Sequence, residues 1–188
     1  IGHSSTHDIL GTIEIALNLV PGAKRVYVVS GVHEVDRGIE DQARRDLKKW
    51  ETRLEFIYLN HMSFEDILAT VSSVSPRSII LLLVLSQDVK GTRYTYPVVA
   101  QRVSQVSAAP IFGILDTALG HGIVGGNLIN FERIGVKVGE LVLDILRGTS
   151  AIKNIPEFLG VPPVPIFDWR QLRHWNLSEA ALPKGGIV

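Results

Sequence analysis

Apolar residues recur at helical spacing over residues 7–20, where Ile9, Leu10, Ile13, Ala16, Leu17 and Val20 share a face until Pro21-Gly22 interrupts them. A short β-branched run, Val26 to Val29, then predicts a strand over Arg25 to Ser30, ending at Gly31. Helical spacing returns from Glu34 to Trp50, with Val35, Ile39, Ala43, Leu47 and Trp50 on the stripe expected to be buried. Leu54 to Leu59 predicts a second strand. Ser63, followed by Asp66 three residues later, predicts a capped helix with Phe64, Ile67, Leu68, Val71 and Val74 inward.

Ser78 to Leu85 is a continuous apolar run, the pattern of a strand covered on both faces of a parallel sheet. A polar loop, Ser86 to Arg93, separates it from a helix opening at Tyr96-Pro97. Pro110 to Leu115 and Gly122 to Ile129 predict two further strands. A last long helix runs from Phe131 to Arg147, stopped by Gly148. Strands alternating with helices predict an α/β fold with a doubly wound, mostly parallel five-stranded sheet. The single lobe is expected to end at residue 148. Residues 149–188 form a separate C-terminal segment: an extended, proline-rich connection over 149–166, then a short helix at 169–175 capped by Asp168. That helix is expected to lie on the body through Leu172 and Trp175, with Arg170 and Arg173 outward; a homodimer contact through the same aromatics is the alternative.

Composition narrows the function. Of the 188 residues, 46% are hydrophobic and 20% charged, a globular balance that excludes disorder. Lys plus Arg and Asp plus Glu both number 19, so no basic excess points to nucleic acid. No cysteine is present, which removes thiolate catalysis, Cys-ligated zinc and disulfides. No apolar run is long enough to span a membrane. Among the six histidines, only His3 and His7 stand at i,i+4 spacing, at a start expected to fray, so no metal is expected. No G-x-S-x-G elbow occurs. Gly120-His-Gly122-Ile-Val-Gly125 satisfies G-x-G-x-x-G, but it follows the fourth strand and does not open a helix; it reads as a strand in close backbone contact. The strand ends lack the clustered acids of a phospho-accepting receiver. Neither a cofactor nor a catalytic residue is expected.

In open α/β sheets, ligands bind beyond the carboxyl ends of the strands. The loops expected there carry Ser30 and His33; Asn60, His61 and Met62; Ser86, Gln87, Asp88 and Tyr94; and Asp116 and His121. Ser30, His33, Ser86, Gln87, Asp88, Tyr94, Asp116 and His121 are the candidate ligand contacts, with Asp88 and Asp116 suited to an amino-bearing or cationic solute.

Several segments carry a family resemblance: Gly11 to Leu17, Pro21 to Val26, Gly120 to Gly126, Phe167-Asp168-Trp169-Arg170-Gln171-Leu172-Arg173-His174-Trp175, Leu177-Ser178-Glu179 and Leu182-Pro183-Lys184-Gly185. In these the chain resembles the second lobe of a type I periplasmic binding protein. More narrowly, it resembles the ABC-transporter substrate-binding-like sensor region of bacterial membrane-bound histidine kinases. The resemblance implies an extracytoplasmic lobe, preceded by a first lobe of similar fold and followed by a membrane span and signalling modules. The start at Ile1, not Met, suits such an excised or processed piece. A small solute would bind between the lobes, and this chain would itself catalyse nothing. A transport receptor with the same lobe, and an enzyme on a doubly wound sheet, are the competing readings. Amino-acid-binding relatives carry an Asn-Ser pair after the lobe's first strand and an Asp after the third. Here those places hold Ser30-Gly31-Val32-His33 and Ser86-Gln87-Asp88.

Overall fold

Alternate side chains of a strand point to opposite faces, and the apolar run at Ser78–Leu82 (β3) fills both. Ile79 and Leu81, with Leu83 beyond them, enter one core, and Ile80 and Leu82 enter the other. The computed structural model describes residues 6–148 and 160–188. Around β3 lie β1 (Arg25–Val29), β2 (Glu55–Leu59), β4 (Ile111–Gly113), β5 (Gly125–Leu128) and β6 (Val164–Phe167). They form one sheet in the order β2-β1-β3-β4-β5-β6, parallel except for β6.

Helices α1 (Ile9–Leu19) and α2 (Glu34–Leu47) cover one face; α3 (Phe64–Ser72) and α4 (Tyr96–Val106) cover the other. The caps follow the sequence. Asp8 accepts from the Gly11 N–H at 2.8 Å, and Ser63 from the Asp66 N–H at 3.3 Å. Asp8 also accepts from Asn127 Nδ2 at 2.6 Å, and Thr12 Oγ1 accepts from the Asn127 N–H, tying α1 to β5.

The expected elements form, with three differences. The sheet has six strands, because Val164–Phe167 adds an antiparallel edge where an extended connection is expected. β5 starts at Gly125, not Gly122. A Cβ at Gly125, whose φ is +141°, would overlap the Ile166 carbonyl, so only glycine lets β6 approach. The glycine-rich stretch thus serves close backbone contact. In α2, Val35 is 59% exposed and the buried positions include Asp36 and Glu40, since the helix turns its early face to the loops and not to the core. Residues 164–188 pack on this body, in line with the expected seating of the short helix. Leu172 of α6 (Trp169–His174) is buried in the α1-side core, Trp175, Leu177 and Leu182 pack against it, and Arg170 and Arg173 face outward. The expected connection over 149–159 lies outside the described residues.

The remaining helix, α5 (Phe131–Leu146), is amphipathic but buries no residue. Ile134, Val138, Leu141 and Ile145 make a stripe at helical spacing. Phe131, Val142 and Leu146 widen it and are exposed. The groove between α5 and residues 160–164 is lined by Arg133, Lys137 and Glu140 together with the apolar Val136, Val161, Pro162 and Val164. Among the described residues, no helix is long and apolar enough to cross a membrane.

Candidate functional site

Parallel strands end on one edge, and there β1, β2 and β3 release three loops that two buried carboxylates join. Asp36, fully buried near the start of α2, accepts from the Ser86 N–H at 2.9 Å, the Ser86 hydroxyl at 2.8 Å and the Gln87 N–H at 3.3 Å. The Ser30 hydroxyl donates back to the Asp36 carbonyl at 3.5 Å, and the Val32 N–H to the Gln87 carbonyl at 2.9 Å. Gly31 has no room for a side chain: a Cβ there would collide with the Asp36 carboxylate and the Gln87 carbonyl.

Asp88, 2% exposed, extends the frame to α3. Its Oδ1 accepts from the N–H groups of Lys90 and Thr92, both at 3.0 Å. Its Oδ2 accepts from the Phe64 N–H at 3.2 Å and the Tyr94 hydroxyl at 3.3 Å. Burial opposes ionisation, but these N–H groups and the hydroxyl outweigh it and hold the carboxyl below its ordinary pKa. The Tyr94 ring packs against Phe64 with centroids 4.6 Å apart, and burial raises its phenol.

The candidate contacts therefore divide. Ser30, Ser86 and Asp88 are spent on the frame. His33 N-caps α2, its Nδ1 accepting from the Val35 N–H at 3.4 Å, and stays exposed. Gln87 and Tyr94 are half-buried on the same rim, as are Asn60 and Met62 after β2. Asp116 lies at the carboxyl end of β4. Burial raises its pKa, partly offset by the Phe131 N–H that it accepts at 3.0 Å.

His121 is not on this edge. After β4 the chain turns through Asp116–Ala118 and runs back along the sheet. The Val124 N–H bonds to the Ile111 carbonyl, so the turn at 120–122 sits at the amino ends of β4 and β5. There Ser104 donates to the His121 carbonyl at 3.4 Å. A short return with a single 3-10 turn in place of a covering α-helix, rather than a loop confined to the carboxyl edge, accounts for the displacement.

Asp36 is the residue that sequence reasoning missed as part of this edge. No local pattern marks it, because its partners are 50 and 51 residues away. No group of three His, Cys, Asp or Glu among the described residues is placed to hold a metal. The rim offers hydrogen-bonding and aromatic groups, and the amino ends of α2 and α3 also face it, where their dipoles favour a negative ligand group.

No family model matches the chain. It is 24% identical over 156 residues to a tyrosine-binding protein of Clostridioides difficile strain R20291, covering 81% of this chain and 44% of that protein. Among solved structures, an ABC domain from Streptococcus pneumoniae in complex with L-Trp matches the whole chain with a TM-score of 0.70 at 17% identity, over 62% of its own length. The ligand-free, open form of a substrate-binding protein with adhesive properties from Clostridium difficile matches 97% of the chain with a TM-score of 0.69 at 15% identity, over 60% of its length. The chain thus spans about half to three-fifths of the proteins it matches. At these identities the likeness establishes the fold: an α/β lobe of the kind found in substrate-binding proteins.

Proposed function

We propose that this chain is one wall of a two-lobed solute-binding protein, closing on a small ligand at the carboxyl edge of its sheet. The observation that carries the reading is the frame built by Asp36 and Asp88. It locks three ligand-edge loops together and leaves His33, Gln87 and Tyr94 presented on the rim. Asp116 adds a carboxylate at the neighbouring strand end. The named relatives, which bind tyrosine and L-Trp, make an aromatic amino acid the first solute to test.

The second wall is a preceding lobe, and the bare apolar stripe of α5 supplies its packing surface. Lobe closure on the solute then biases whatever follows the chain, since a ligand shifts an equilibrium only by its differential contacts with the two states. We assign the lobe to the extracytoplasmic sensor region of a membrane-bound signalling protein of the histidine-kinase type, on the Phe167 to Trp175 and Leu182 to Gly185 segments. The transport-receptor reading rests on the substrate-binding relatives and shares the same site.

Calorimetry with L-tyrosine and L-tryptophan tests the site. The two-lobed protein is expected to bind one of them, with at least tenfold loss in His33→Ala or Gln87→Ala. The 188-residue chain alone is expected to bind more weakly than micromolar, because half the enclosing surface is missing while the cost of association remains. Micromolar binding by the single lobe overturns the two-wall reading. The sequence after Val188 separates sensor from transporter: a membrane span supports the first, a stop codon the second.

A further inference from the structure

The edge opposite the proposed solute site carries its own chemistry. At the amino ends of β2, β1 and β3, a groove of about 700 Å³ is lined by Lys24, Arg25, Arg53 and Arg77 together with Glu51 and Glu55. Arg25 is paired with Glu55 at 2.8 Å, leaving the cation surplus to Lys24, Arg53 and Arg77 against Glu51. On the same edge, where β6 ends, Arg170 is paired with Asp168 at 2.9 Å, and Arg173 lies 5.2 Å from the ring of Trp169. Trp169 is 51% exposed, unusual for the largest side chain. Ile187 bridges Ile166 in parallel, so Val188 leaves the fold beside β6 at this edge too.

We propose that the amino edge is a docking surface for an anionic phospholipid membrane. Its basic groove and the Arg173–Trp169 pair stand at opposite ends of a six-stranded sheet. With strands about 4.8 Å apart, β2 and β6 are separated by roughly 24 Å, too far for one small anion but natural for a charged plane. Basic side chains beside an exposed tryptophan are the groups that settle at the headgroup level, the cations on phosphate and the indole at the interface. The acids Glu51, Glu55 and Asp168 keep the surface moderate, so binding is weak and reversible without a second anchor. The inference goes beyond the solute-binding reading and uses none of the residues at the solute edge.

Sedimentation of the 188-residue chain with vesicles tests it. Vesicles of phosphatidylcholine with about one third phosphatidylglycerol are expected to bind the chain at low salt and release it at 0.5 M salt, roughly the range in which Debye screening becomes shorter than a side chain. Pure phosphatidylcholine vesicles are expected to bind far less. Each Lys or Arg near such a surface is worth about fivefold in partitioning. Lys24→Glu with Arg77→Glu should therefore lower binding at least about 25-fold, with an unchanged circular dichroism spectrum. Arg37→Glu with Arg93→Glu, the same charge change on the opposite edge, should leave most of it. Trp169→Ser should weaken binding and remove any lipid-induced blue shift of fluorescence. Equal partitioning into neutral and anionic vesicles would assign the contact to the apolar face of α5 and overturn the proposal. Equal losses in the two charge variants would overturn it, as would binding to polyglutamate without binding to vesicles. None of these outcomes depends on whether the solute site exists.

Discussion

Replacing Asp88 by alanine tests the loop frame directly. The carboxylate is buried and serves four donors, so its removal strands them unequally. The N–H groups of Lys90 and Thr92 belong to exposed residues and can turn to water. The Phe64 N–H, in the first turn of α3 beneath a fully buried ring, has no such recourse. One buried donor left without a partner costs about 1–3 kcal/mol, and the more exposed bonds add about 0.5–1 kcal/mol each. The total is about 3 kcal/mol, out of roughly 5–15 kcal/mol for a domain. At roughly 2–4 °C per kcal/mol for a chain of this size, the melting temperature should fall by about 10 °C. Asp88→Asn keeps one acceptor oxygen for the loop, and its amide can donate to the Tyr94 hydroxyl, so it should cost about half as much.

The pH dependence supplies the sign. The folded carboxyl lies below its unfolded value, so the folded state binds fewer protons. Its contribution is complete above the unfolded value near ~4 and fades as pH falls through the folded one. Urea titrations from pH 7 to pH 2.5, with hydrogen exchange at Phe64, measure both. A wild-type minus Asn difference that is constant above about pH 5 and shrinks below pH 4 is expected. An alanine variant within 0.5 kcal/mol of wild type, or a difference that grows in acid, refutes the frame.

Other expectations follow from single contacts. The buried Tyr96 hydroxyl donates to the Leu82 carbonyl at 2.9 Å and accepts from the Ile114 N–H at 3.2 Å, joining β3 to β4. Tyr96→Phe should cost about 1–3 kcal/mol in urea unfolding; a neutral result removes the bridge from the account. Gly125→Ala should detach β6 and lower the melting temperature by more than a Leu172→Ala cavity, itself worth about 2–5 kcal/mol. Truncation after Gly160 removes β6 and α6, so it should lower the melting temperature as well; an unchanged value makes that segment a passive tail. On α5, Val138→Glu with Leu146→Glu should leave the lone chain's stability within about 0.5 kcal/mol, since both are exposed. The same pair should destabilise the two-lobed protein, as differential scanning calorimetry would show.

The order of elements was legible in the sequence because local rules and long-range packing agree. Period-two and period-3.6 patterns, the Asp8 and Ser63 caps and the doubly apolar run at β3 each specify their element from nearby residues. Even the short helix at Trp169 was legible, because Asp168 caps it and Leu172 is its inward residue. Tertiary structure alone decided what depends on residues far apart. Val164–Phe167, with two prolines within or beside it, reads as a connection until the glycines of β5 open a place beside them. His121 reads as a ligand-edge residue until the β4 to β5 return carries it to the other edge. In the sequence Asp88 reads as a candidate ligand contact, and nothing near Asp36 marks it. Their roles come from Ser86, Gln87 and Phe64, reached across the fold by carboxylates that burial would otherwise neutralise. Periodicity records which side of an element is buried, not which distant polar group meets it there. The frame of the candidate site, built from such meetings, therefore appears only in the folded chain.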